Sequence, residues 1–123
     1  MSDANLKNEV TIKGSNDTEY TLRPTFMCLM EIERKSGKSI LKMIDEFTTG
    51  QGSLKDMTVI LKEGTRAAGK PIREAEIEAL IEDIGLMTVS TQLIGFFVKS
   101  LYGGKAIEAL EKKSQDQPIV LNS

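Results

Sequence analysis

The chain has 123 residues, 40% of them hydrophobic and 28% charged, with a formal net charge of −2. That suffices for one domain with a modest core, and it lacks the positive balance that drives general nucleic-acid binding. There is no histidine, no tryptophan and a single cysteine, Cys28, which removes His-dependent triads, the usual zinc sites and any internal disulfide, and fits the reducing cytoplasm.

Residues 1–8 are polar, have no apolar leader core, and read as a loose terminus. Two alternating segments follow within residues 9–23. Val10 and Ile12 share one face, Tyr20 and Leu22 another, and Gly14-Ser15-Asn16-Asp17 supplies turn residues between them. The pattern predicts a β-hairpin with one buried face, which must lie on helices to be stable.

Thr25 caps a first helix over residues 25–36, with Phe26, Leu29, Met30 and Glu33 as its stripe, Cys28 and Ile32 flanking it, and Gly37 closing it. Ser39 caps a second over residues 39–48, whose stripe is Ile40, Ile44 and Phe47, widened by Leu41 and Met43. Ser53 caps a third over residues 53–69, with Asp56 placed as a short capping-box partner. Leu54, Met57, Leu61, Gly64 and Ala68 line one side of it, and the small residues invite close approach by another element. A fourth helix over residues 72–84 carries Ile77, Leu80, Ile81 and Ile84 on one face and Glu74, Glu76, Glu78, Glu82 and Asp83 on the other.

Residues 86–102 read LMTVSTQLIGFFVKSLY, with Lys99 the one charge. The run falls short of the roughly 20 apolar residues a membrane span needs, and it carries Thr88, Ser90, Thr91 and Gln92. A helix apolar on nearly all sides must instead be wrapped. The expected fold is therefore mainly α with a small N-terminal β-hairpin (α+β), short helices packing around a central apolar helix. Residues 9–104 form the single domain, and residues 105–123 a helical piece and tail.

Chemical motifs are sparse. Gly37-Lys38-Ser39 resembles the end of a phosphate loop, but Ile32 stands where the leading glycine is needed. The carboxylates of the fourth helix repeat every four residues, as a solvated face does. Arg34, Lys35, Lys38 and Lys42 are interspersed with Glu31, Glu33 and Asp45, a mixed surface. No nucleophile–base pair is visible, so neither an enzyme, a cofactor, a metal nor a small-molecule substrate is expected. The surplus of apolar residues at Phe97 and Leu101, and the isolated triplet Ile119, Val120 and Leu121, mark candidate partner-binding positions.

The segment Tyr20-Thr21-Leu22-Arg23-Pro24-Thr25-Phe26 resembles the tail-assembly chaperones of gene transfer agents and related long-tailed phages. Glu31-Ile32-Glu33, Gly37, Ser39, Leu54, Asp56, Val59, Ile60, Gly64, Glu74, Ile77, Leu80, Ile81 and Gly85 continue the resemblance in order, over residues 9–104. The departures are a lysine-richer surface, Ser and Gln in the last helix, and a tail without counterpart. The resemblance implies a non-catalytic phage or prophage protein of the bacterial host cytoplasm. Its implied partners are the tape-measure protein and further copies of itself, not nucleic acid or membrane. The competing reading is a small helix-turn-helix DNA-binding regulator, supported by the short helices and the cations near Gly37.

Overall fold

A computed structural model describes residues 8–116, with side chains described through residue 103. Strands β1 (Val10–Lys13) and β2 (Glu19–Leu22) precede five helices: α1 (Phe26–Ser36), α2 (Ile40–Thr48), α3 (Leu54–Ala67), α4 (Glu74–Ile84) and α5 (Leu86–Asp116). The fold is the expected mainly helical one with an N-terminal hairpin.

The hairpin is antiparallel, pairing Val10 with Leu22 and Ile12 with Tyr20. Asn16 and Asp17 both take positive φ (54° and 62°) and Thr18 N–H donates to Ser15 O at 3.0 Å, a tight two-residue turn of the kind whose twist suits a hairpin. Ile12 and Leu22 are fully buried. Two side chains hold the hairpin to the helices. The Gln92 amide accepts from Lys13 N–H at 2.8 Å and donates to Lys13 O at 3.2 Å, so at that residue it satisfies the β1 edge as a neighbouring strand would. The Asp83 carboxylate accepts from both Ser15 N–H (2.8 Å) and Ser15 Oγ (2.6 Å).

Those two Ser15 bonds hold the Asp83 carboxyl below its usual range. A carboxyl depressed in the folded state adds stability that is present above its unfolded value, about 3.9, and is lost as pH falls through the folded value. Asp83→Ala should therefore flatten the acid limb of the stability–pH curve. It should also speed hydrogen exchange at the Ser15 amide at neutral pH, read by NMR. Unchanged exchange there would mean that the turn is held by the core alone.

The caps read from sequence are present. The hydroxyls of Thr25, Ser39 and Ser53 accept from the N–H groups of Cys28, Lys42 and Asp56, respectively. The Asp56 side chain, however, does not reach back to close a capping box. It is 1% exposed, and its carboxylate accepts from Lys38 Nζ at 2.8 Å, because α3 buries that position against the α1–α2 junction. α4 starts at Glu74 rather than near residue 72. Thr65, itself fully buried, accepts from Ile72 N–H at 2.9 Å and holds the preceding residues out of the helix. Glu76 then reaches back to accept from Arg73 N–H at 2.9 Å.

One residue, Gly85, links α4 to α5, and the two helices meet at 114°. Its φ of 88° with ψ of 155° lies in a region essentially reserved for glycine. Gly103 repeats that conformation (φ 75°, ψ 164°) inside α5, so the expected break after residue 102 is a corner and not an end.

The packing of four helices differs from the sequence reading: Leu41, expected to widen the stripe of α2, and Leu54, expected to line the packed side of α3, are exposed at 67% and 52%, and α1 and α5 depart further. On α1 the buried positions are Cys28, Ile32 and Ser36, while Phe26 and Met30 of the expected stripe are exposed. The helix faces inward along the less apolar of its two stripes, because α3 meets it there with the buried Glu63, which accepts from Lys35 Nζ at 2.7 Å. α5 is not wrapped on all sides. Val89, Leu93, Phe96 and Phe97 are buried, but Leu86, Met87, Val98, Leu101 and Tyr102 are exposed. Part of the enclosed role falls to α3, with Asp56, Met57, Ile60, Leu61, Glu63, Gly64 and Thr65 all buried. The reason is size: two four-residue strands and three short helices do not cover the circumference of two core helices.

Candidate protein-docking surface

The described residues give little to chemistry. Cys28 is buried, and burial first, then the nearby Glu63 charge, pushes its thiol up to about 12, far from a reactive thiolate. Of the four cations near Gly37, three are engaged. Arg34 pairs with Glu31 at 2.7 Å, Lys35 with Glu63, and Lys38 with both Asp56 at 2.8 Å and Glu46 at 2.9 Å. The Asp56 and Glu46 bonds hold the Lys38 ammonium above its usual range. These contacts leave Lys42 as the one cation of that cluster without an ion pair among the described residues, a thin basis for the regulator reading. Among the described residues, no three Cys, Asp or Glu side chains gather as metal ligands, and no single helix is long and apolar enough to cross a membrane.

Exposed apolar side chains stand out instead. On α1, Phe26 is 74% exposed and Met27 and Met30 are more than half exposed. Thr25 fixes the helix start, and the inward stripe at Cys28 and Ile32 turns these three to solvent. Methionine at a surface suits adaptable contact, since its unbranched chain repacks against varied shapes. At the far end of the first α5 segment, Val98, Leu101 and Tyr102 are exposed.

A third set lies in two neighbouring grooves divided by Leu54, which is 52% exposed at the start of α3. One, of about 310 Å³, is lined by Leu54, Thr58, Ile77 and Ile81 with Glu74, Glu78 and Glu82. The other, of about 460 Å³, lies between the α2–α3 connection and the start of α5. Its lining includes Leu54, Met57, Leu86, Met87 and Ile94. The 114° corner at Gly85 produces this arrangement by setting the first turns of α5 beside the open side of α4.

The partner-binding positions named from sequence separate. Phe97 is 2% exposed and its ring packs edge-on against Phe47, with centroids 5.1 Å apart. Leu101 is 45% exposed at the surface. Ile119, Val120 and Leu121 lie outside the described residues. Phe26, Met27, Leu54 and Met87 are surface features that the sequence reading did not single out. The available signal was the double stripe on α1: a helix with two apolar faces and one core to meet leaves one of them outside.

A protein-family model described as phage tail tube protein, GTA-gp10, matches residues 10–99. No curated protein and no solved structure matches.

Proposed function

We infer the function from one premise: the chain belongs to the phage tail tube protein, GTA-gp10, family. A protein of a phage or gene-transfer-agent tail works within an assembly. This one acts there as a tail-assembly chaperone, holding the apolar stripes of the helical tape-measure protein until the tube grows over it. The observation that carries the reading is the exposure of large apolar side chains in three separate sets, around Phe26, Leu54 and Leu101. Exposed apolar side chains that gather in sets, and are not scattered singly, mark surfaces for protein contact. The chaperone reading is favoured over a wall subunit because the described residues contain a single two-stranded sheet. That sheet is only four residues long on each strand, and Gln92 already takes the outward backbone groups of Lys13, which leaves little for ring-to-ring strand pairing.

Co-expression with the tape-measure protein of the same tail gene set tests this. The tape-measure protein should stay soluble and co-elute with the chain, whereas finished tails should lack the chain by mass spectrometry. A variant carrying Phe26→Lys, Met30→Lys and Leu101→Lys, all at exposed positions, should keep its melting temperature and lose most of the co-elution. A tape-measure protein that elutes alone, or stoichiometric retention of the chain in finished tails, would overturn the reading.

A further inference from the structure

We propose that the paired grooves around Leu54 are the seat for an amphipathic helix of the partner whose apolar stripe is edged by lysine or arginine. The proposal rests on the contact role inferred above and specifies its chemistry. The floor is apolar: Leu54, Ile77 and Ile81 on one side, Leu86, Met87 and Ile94 on the other. Leu54 and Met87, 52% and 77% exposed, project far enough to enter the stripe of an incoming helix.

The wall decides the charge of the occupant. α4 carries five acidic residues, Glu74, Glu76, Glu78, Glu82 and Asp83, and no basic one. Three of them have partners: Glu74 meets Lys62 at 3.6 Å, Glu76 is bound to Arg73, and Asp83 to Ser15. Glu78 and Glu82 line the groove, and no ion pair or hydrogen bond engages them among the described residues. They stand four residues apart, one turn along the helix, so a partner helix lying alongside α4 meets both with cations at its own i and i+4 positions. A helix edged with acid would be repelled there. A second copy fits less well through α1, where Phe26, Met27 and Met30 are exposed, because Arg34 and Lys35 there are already paired.

The full-length chain should be titrated by fluorescence anisotropy against two labelled synthetic helices of about 20 residues with the same leucine stripe. One is edged with lysine and the other with glutamate. At low salt the lysine-edged helix should bind at least about threefold more tightly, and the difference should shrink as salt rises. The double charge reversal Glu78→Lys with Glu82→Lys should invert the preference. Leu54→Asp, which places an acid in the first turn of α3 where the helix dipole favours it, should keep the fold and abolish binding of both.

Equal binding of the two helices, or binding unaffected by Leu54→Asp, would overturn the groove assignment. A dimer in light scattering that Leu54→Asp dissolves would give the groove to a second copy instead. Failure here is distinct from failure of the chaperone reading. If the tape-measure protein co-elutes with Leu54→Asp as well as with the unaltered chain, the chaperone stands and the groove falls. If the peptides discriminate as expected but the tape-measure protein elutes alone, the groove stands and the chaperone falls.

Discussion

Phe97→Ala should cost about 3–5 kcal/mol of folding stability and leave a cooperative but much earlier urea transition. Phe97 is 2% exposed, its ring meets Phe47 at 5.1 Å and Phe96 at 6.0 Å, and both contacts are edge-to-face. Truncation removes the buried ring and both aromatic contacts and leaves a cavity between α2 and α5. Domains of this size have roughly 5–15 kcal/mol in total, so the variant should sit near the edge of folding. The melting temperature should fall by something on the order of 10–20 °C. Circular dichroism melts of the purified chain measure it. A role in partner contact alone would give the reverse: an unchanged midpoint with lost co-elution. Leu101→Ala, at a 45% exposed position on the same helix, is the matched comparison and should move the midpoint little.

How far the sequence could be read depended on which kind of information each position carried. Caps were legible because they are local. Thr25, Ser39 and Ser53 need only reach an N–H three residues on, and each does. The hairpin was legible for the same reason. Facing was legible only where a helix has one apolar side, as α4 does with Ile77 and Leu80. α1 offered two stripes, and the choice between them was made by α3, whose buried Glu63 takes Lys35 and whose Gly64 admits Leu22. No periodicity within α1 contains that. Asp56 failed in the same way: its spacing from Ser53 fits a cap, but Lys38, distant in sequence, takes its carboxylate. The docking surface inherits these limits. Leu101 could be named from surplus hydrophobicity, whereas Phe26 and Leu54 emerge only once the competing faces have been filled.

The same chemical change at two helical glycines should have opposite signs. Within a helix, alanine is favoured over glycine by about 1 kcal/mol. At Gly95 in α5 an added Cβ would meet Val10 Cγ1 at 3.8 Å, ordinary contact, so Gly95→Ala should stabilise by about 0.5–1 kcal/mol. At Gly64 in α3 the added Cβ would lie 2.7 Å from Leu22 Cδ2, 2.8 Å from Cγ and 2.9 Å from Cβ. The nearest of these atoms could swing aside, but the Cβ of Leu22 moves only with β2. That strand is tied to the same turn of α3, since Arg23 N–H donates to Gly64 O at 3.1 Å. Leu22 is fully buried, so there is no solvent to retreat into. Overpacking of this kind costs about 1–3 kcal/mol, occasionally more, and outweighs the helical gain. Gly64→Ala should therefore destabilise by about 1–2 kcal/mol and Gly64→Val by about 3 kcal/mol or more. Faster hydrogen exchange across β1 and β2 should accompany the loss as the hairpin lifts from α3. Urea titrations of the two alanine variants against the unaltered chain measure the signs. If Gly64→Ala stabilises as Gly95→Ala does, the close seating of Leu22 on α3 is not what fixes the hairpin.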